Sequence, residues 1–175
     1  MTAIIIIGIL TLLTIYLIVA YNSFIGSSNK VKDAFATMDV YLKKRWDLVP
    51  DIVETVKGYA RHEKKTLEDV AKIRSSIYNT LTVDDKIDVN RRLTSGMSRL
   101  MAVVEKYPDL KADQNFVDLN KQLSKIEDDI AFSRKYYNAA VKHLNDKVQM
   151  FPSNVIADIF NFTEQKMFEA FEPER

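Results

Sequence analysis

The chain has 175 residues, with 25 basic and 24 acidic side chains, no cysteine, and four each of glycine and proline. That length allows one sizeable domain whose core stands without metals or crosslinks, and so little glycine and proline disfavours a loop-rich β fold. The missing thiols exclude a disulfide-stapled secreted domain, cysteine nucleophiles and thiolate metal sites, while a net charge of +1 leaves no broad positive field for phosphates, so nucleic acid is not expected as a partner.

No charged side chain precedes Lys30. Ala3 to Ala20 is an aliphatic run broken only by the hydroxyls of Thr11 and Thr14, with Tyr16 and Tyr21 toward its end. At about 1.5 Å per residue it covers the roughly 30 Å hydrocarbon core of a bilayer. The helix can absorb both hydroxyls by bonding them back to its own carbonyls, and Tyr21 suits the aromatic belt at the interface. A cleaved signal peptide needs a positive leader and a small-x-small cleavage site. Here nothing basic comes first and Tyr21-Asn22-Ser23-Phe24 follows, so an uncleaved anchor is expected. A run apolar on all sides also argues against the core helix of a soluble protein. Lys30, Lys32, Lys43, Lys44 and Arg45 all follow the span. Positive-inside bias therefore places the N-terminus outside and the remainder in the cytoplasm.

After Ser27-Ser28-Asn29 the sequence becomes heptads. One seam passes through Val31, Met38, Ile52 and Tyr59, and its partner through Phe35, Leu42, Val49 and Val56. A seven-residue repeat keeps one stripe against a neighbouring helix, and Arg45 is its one polar interruption. The pattern crosses Pro50 in phase, which predicts a kink or a first-turn proline there. Leu67, Val70, Ile77 and Leu81 extend the stripe toward Asn79-Thr80. Thr82 or Asp84 then caps a second helix carrying Leu93, Met97, Leu100, Val104 and Tyr107, which Pro108 closes. The last long helix repeats Phe116, Leu123, Ile130, Tyr137, Leu144 and Phe151 every seven residues, with Leu119, Ile126, Ser133 and Ala140 beside them, and ends at Pro152. Val155 to Phe160 should fold back as a terminal helix, and Glu172-Pro173-Glu174-Arg175 should fray.

These segments predict an all-α protein: an N-terminal transmembrane helix, then an extended antiparallel up-down bundle of three to four helices. The implied organisation is an anchor over 1–22, a short junction over 23–29 that could itself be helical, a bundle over 30–162 and a tail over 163–175. Because the heptads resume within about ten residues of the span, the anchor and the first bundle helix are expected to form one nearly continuous rod.

With the segments placed, the sequence resembles the LemA family of bacterial membrane proteins. The resemblance is carried by Tyr21-Asn22 after the span, Asn29, Met38-Asp39-Val40 with Leu42-Lys43, and Asp47-Leu48-Val49-Pro50. It continues through Glu54-Thr55-Val56-Lys57-Gly58-Tyr59-Ala60, His62-Glu63, Tyr107-Pro108 and Leu110-Lys111-Ala112. Tyr137-Asn138 with Asn145, then Phe151-Pro152-Ser153-Asn154, complete it. Phe35 stands where a tryptophan is usual, and Trp46 where a smaller or polar residue is expected. The resemblance implies a single-pass inner-membrane protein with a cytoplasmic helical domain and no established enzymatic activity, in a family with relatives associated with magnetosome formation.

Chemistry-bearing constellations are scarce. His62-Glu63 opens like a zinc-protease helix, but the second histidine is replaced by Thr66. Di-iron bundles need Glu-x-x-His pairs, and the residues three before His62 and His143 are Tyr59 and Ala140. Glu127-Asp128-Asp129 reads as a solvated or salt-bridged face, because adjacent helix positions point apart. No glycine-rich phosphate loop or nucleophile elbow occurs. Neither an enzyme nor a cofactor is therefore expected.

Three features suggest an interaction surface. Lys43, Lys44, Arg45 and Trp46 form a basic-aromatic cluster that an unbroken helix would carry about 35 Å beyond Ala20, which suits a protein partner or a second protomer better than headgroups. Gly58 lies mid-helix on this reading, where it either admits another helix or marks a local break. Asn138 and Asn145, seven apart beside the seam, are expected to fix register. The function expected is a membrane-anchored, self-associating scaffold that holds lipid through its N-terminal helix. The alternative is a tethered adaptor that recruits a cytoplasmic protein.

Overall fold

The computed structural model describes residues 1–73 and 78–168, and all regular structure among them is helical. Helix α1 spans Thr2–Tyr59, α2 Lys64–Ile73, α3 Val83–Val104, α4 Pro108–Ala112, α5 Gln114–Gln149 and α6 Ser153–Phe160, with a 3-10 turn at Tyr78–Thr80. The chain divides into two compact units. Residues 1–37 and 134–167 form the first, and residues 38–73 and 78–133 with Phe168 the second; α1 and α5 contribute to both.

In the first unit, the aliphatic run makes the start of α1, and none of its side chains is buried. The two hydroxyls of that run turn inward as expected: Thr11 donates to the Ile7 carbonyl at 2.8 Å and Thr14 to that of Leu10 at 2.9 Å. The helix then passes without interruption through Ser27-Ser28-Asn29, where Ser27 likewise donates to the Ser23 carbonyl. Burial begins at Phe24 and follows the seam through Val31 and Phe35. Helix α5 lies antiparallel to this stretch, since Tyr137 meets Phe35 edge-on and Lys147 reaches Ser23 and Ser27. Helix α6 folds back as expected and is closed by Asn161 in the left-handed conformation, which asparagine tolerates.

The second unit is a four-helix up-down arrangement. Arg45 pairs with Glu127 and Thr55 with Asn115, so α1 and α5 run antiparallel. Asp39 meets Lys86 and Arg45 meets Thr94, so α3 runs with α1. Helix α2 returns against α3, with Glu63 near Lys106 and with Val70 and Ile73 against Gly96. The core is the predicted seam: Met38, Leu42, Val49, Ile52 and Val56 of α1 against Leu93, Met97 and Leu100 of α3 and Phe116, Leu123 and Ile130 of α5. Burial of each such side chain contributes about 1.5–3 kcal/mol. Thr82 caps α3 in a reciprocal box with Asp85.

Several local expectations are corrected. The first bundle helix was expected to continue to about Thr80; it ends at Tyr59, and the chain turns at 60–63 before α2. Pro50 is no break, because α1 continues through it and loses only the one bond a proline nitrogen cannot donate. Leu67 and Val70 still face inward because α2 folds back against α3, where Val70 meets Gly96; Ile77 lies outside the described residues. Pro108 opens α4 as its first residue instead of closing α3, which stops at Val104. The α5 seam is buried from Phe116 through Leu144, whereas Phe151 lies past the helix end and is 83% exposed. Glu172 to Arg175 lie outside the described residues.

Candidate functional site

The basic-aromatic cluster divides by depth. Lys44 is exposed over the Tyr41 ring, and Lys43 pairs with Asp47 one turn on. Arg45 and Trp46, expected on the same surface, are instead interior to the second unit, and Arg45 is only 1% exposed. A charge at that depth needs partners. Its Nη1 donates to both Glu127 oxygens at 2.8 and 2.9 Å and to Thr94 at 2.9 Å; its Nη2 donates to the backbone and side-chain oxygens of Asn90, each at 3.0 Å. Asn90 and Thr94 are themselves held by bonds to the carbonyls of Lys86 and Asn90. Only Nε of the guanidinium finds no acceptor among the described residues.

Beside this network, Trp46 packs on Tyr78 at 5.3 Å between centroids. The Tyr78 hydroxyl donates to Asp39 at 2.7 Å, and Asp39 also holds Lys86 at 2.7 Å. Burial first, and the Asp39 carboxylate second, push the Tyr78 phenol far above its ordinary pKa. The group thus stays neutral as a fixed donor. The arrangement ties α1, α3 and α5 together by polar contacts.

Gly58 is not mid-helix: it lies one residue before the end of α1, and a Cβ there would meet nothing within 4 Å. Of its two expected roles, a local break fits and admission of a helix of this chain does not. Gly58 lines an open groove of about 680 Å³ between α1 and α2, with Val49, Pro50, Val53, Lys57 and Arg61. Tyr59 turns the other way and donates to Asp113 at 2.9 Å. Asp113 also accepts from the Phe116 amide at the start of α5. That amide bond foremost, then the tyrosine, hold the Asp113 carboxyl below its usual range, and the same pairing raises the Tyr59 phenol. The close approach that sequence missed is at Gly96 on α3, where a Cβ would stand 3.2 Å from Ile73 and 3.3 Å from Val70.

In the first unit Asn138 is half-buried on α5, one turn from Ser133 and Tyr137's neighbour on the seam. Asn145, expected to fix register, instead binds the segment after α6. Its amide donates to the Gln165 carbonyl at 2.9 Å and accepts from the Gln165 N–H at 2.8 Å, imitating a strand neighbour for the segment after α6. Tyr137 adds a bond to the Lys166 carbonyl at 2.9 Å. Near α5's end, Lys147 donates to the Ser23 carbonyl and to the hydroxyls of Ser23 and Ser27. Burial chiefly, with the Lys30 charge, lowers the Lys147 pKa. Phe160 and Phe162 pack on Tyr21, and Phe162 stacks on Phe24 at 4.7 Å. Both histidines are exposed, and no group of three metal-binding side chains converges among the described residues.

Comparison with known proteins places these features. Residues 34–175 match the model of the LemA family. The chain is similar to Protein LemA of Metamycoplasma hominis, at 26% identity over 156 residues, covering 88% of this chain and 71% of that one. It is also 35% identical over 75 residues to magnetosome proteins MamQ 1 and MamQ 2 of Paramagnetospirillum magneticum, covering 43% of this chain and only 28% of each of those. With four-fifths of its length inside the family model and a helical core laid along the matched residues, the chain belongs to the LemA family.

Proposed function

We propose that this protein is a non-enzymatic scaffold anchored in the bacterial inner membrane, with Met1 outside, the helical units in the cytoplasm, and self-association as its working state. The observation that carries this reading is α1 itself. One helix contains both an 18-residue window of mean hydropathy 2.9 with no burial in the chain and the seam of the packed units. An exposed apolar helix needs lipid or another such helix around it, and self-association would therefore bring spans and bundles into register together. Sizing with light scattering on detergent-extracted protein tests it. A discrete oligomer is expected, and a clean monomer at micromolar concentration overturns self-association.

The groove between α1 and α2 favours the second reading, a tethered adaptor. Its lining of Val49, Pro50 and Val53 with two cations, Lys57 and Arg61, against one acid, Glu54, suits an amphipathic segment with acidic residues. Crosslinking in cells from Val53 distinguishes the two: products with a second copy favour the scaffold, and a dominant foreign protein favours the adaptor.

A further inference from the structure

The corner between α5 and α6 leaves apolar side chains uncovered at one level of the first unit. Phe151 is 83% exposed, Val155 47% and Ile159 59%. Val155 and Ile159, four apart on α6, make an outward apolar stripe, and Phe151 is exposed in the turn just before that helix, while Ile156 and Ala157 on the other faces of α6 are buried. Soluble surfaces scatter such residues singly; a stripe needs an occupant.

The neighbouring span indicates which. Tyr21 is the first residue after the aliphatic run, and its ring lies 4.9 Å from Phe160 and 5.8 Å from Phe162. Those contacts hold the end of α6 level with the end of the span, at the depth where a bilayer changes from hydrocarbon to headgroup. Phe24 stacked on Phe162, and Lys147 bonded to Ser23 and Ser27, fix the corner there. Asp158, the one ionisable residue of α6, flanks the stripe and is exposed, so its carboxylate can stay in water. Lys147 and Lys30 stand further along α5 and α1, where anionic headgroups favour cations.

We propose that Phe151, Val155 and Ile159 insert into the interfacial layer of the same bilayer that the span crosses, giving the protein a second, monotopic membrane contact. This rests on the reading of α1 as a membrane span. Such a contact fixes α6 about 5–10 Å into the headgroup–acyl boundary, as amphipathic helices with one apolar face do. It also stops the first unit from tilting freely about its anchor.

The absence of cysteine allows unique labelling. Full-length protein with a spin label at Phe151→Cys, Val155→Cys or Ile159→Cys is placed in vesicles of phosphatidylethanolamine and phosphatidylglycerol, and collisions with oxygen and with a water-soluble nickel chelate are compared. Leu12→Cys in the span and Lys135→Cys on α5 are the references. The three corner labels are expected to collide more with oxygen and less with nickel than Lys135→Cys, at a depth short of Leu12→Cys. Corner labels as nickel-accessible as Lys135→Cys, with Leu12→Cys deep, overturn the corner contact and leave the span intact. Leu12→Cys in water overturns the span and the inference together. Labels shielded from both reagents and broadened by a nearby spin give the face to a second copy and overturn the lipid assignment.

Discussion

Arg45 takes a full charge into the second unit, and its five hydrogen bonds to Glu127, Thr94 and Asn90 are what makes that tolerable. Removing one partner of a buried pair leaves the other uncompensated, at a cost of about 3–5 kcal/mol, whereas apolar replacement of both is often neutral. Glu127 keeps some solvent contact, with 37% of its side chain exposed, so Glu127→Leu should fall at about 3 kcal/mol or below. Arg45→Leu with Glu127→Leu should recover most of that loss, read as the midpoint of helix melting in detergent; a double variant as unstable as the single would refute the pairing argument. The glycines make an opposite pair of expectations. Gly58→Ala meets open space and should stabilise by up to about 1 kcal/mol. Gly96→Leu must displace Ile73 and Val70 and should cost about 1–3 kcal/mol in the same melt. In sequence, Arg45 showed as the one polar interruption of a seam, yet its basic neighbours drew it onto an exposed surface, whereas its seam position is what buries it. Glu127 was harder to find: it lies in a run of three acids, and nothing local says which one faces α1. Gly96 gave no local signal, because its tightness comes from α2, far away in sequence.

At the scale of elements, the heptads located the helices well and their ends poorly. Burial along Met38, Leu42, Val49, Ile52 and Val56 followed the seven-residue period because that period is the packing geometry itself. The turn at 60–63 was invisible to it: α2 folds back against α3 and buries Leu67 and Val70 there, so the apolar period runs on in sequence across the break. The segment after α6 shows the same limit, since its order comes from α5. Asn145 supplies both bonds to Gln165, so Asn145→Ala should release residues 163–167. Hydrogen exchange should then accelerate at the Gln165 amide with α5 unchanged. Asn145→Asp, which keeps the acceptor and loses the donor, should protect that amide better than alanine does. Equal exchange in wild type and Asn145→Ala would mean that other contacts hold the segment.

For the whole molecule, the account turns on one helix that begins as a bare apolar run and continues as the seam of a packed core. The apolar run at its start was legible because no charged side chain appears on any of its faces, and none of its most hydropathic window is buried in the structure. The stripe at the α5–α6 corner was not, because Phe151 continued the α5 repeat in sequence and leaves it only where the helix ends. The proposed orientation rests on charge, since every Lys and Arg comes after the apolar run. The most direct measurement is the labelling of single cysteines in intact bacterial cells with a membrane-impermeant maleimide, first stripping the outer barrier where the host has one. Thr2→Cys should label in intact cells, and Lys135→Cys only after the inner membrane is broken. Lys135→Cys labelling in intact cells, or equal labelling of both before and after lysis, would contradict a spanning helix with cytoplasmic helical units.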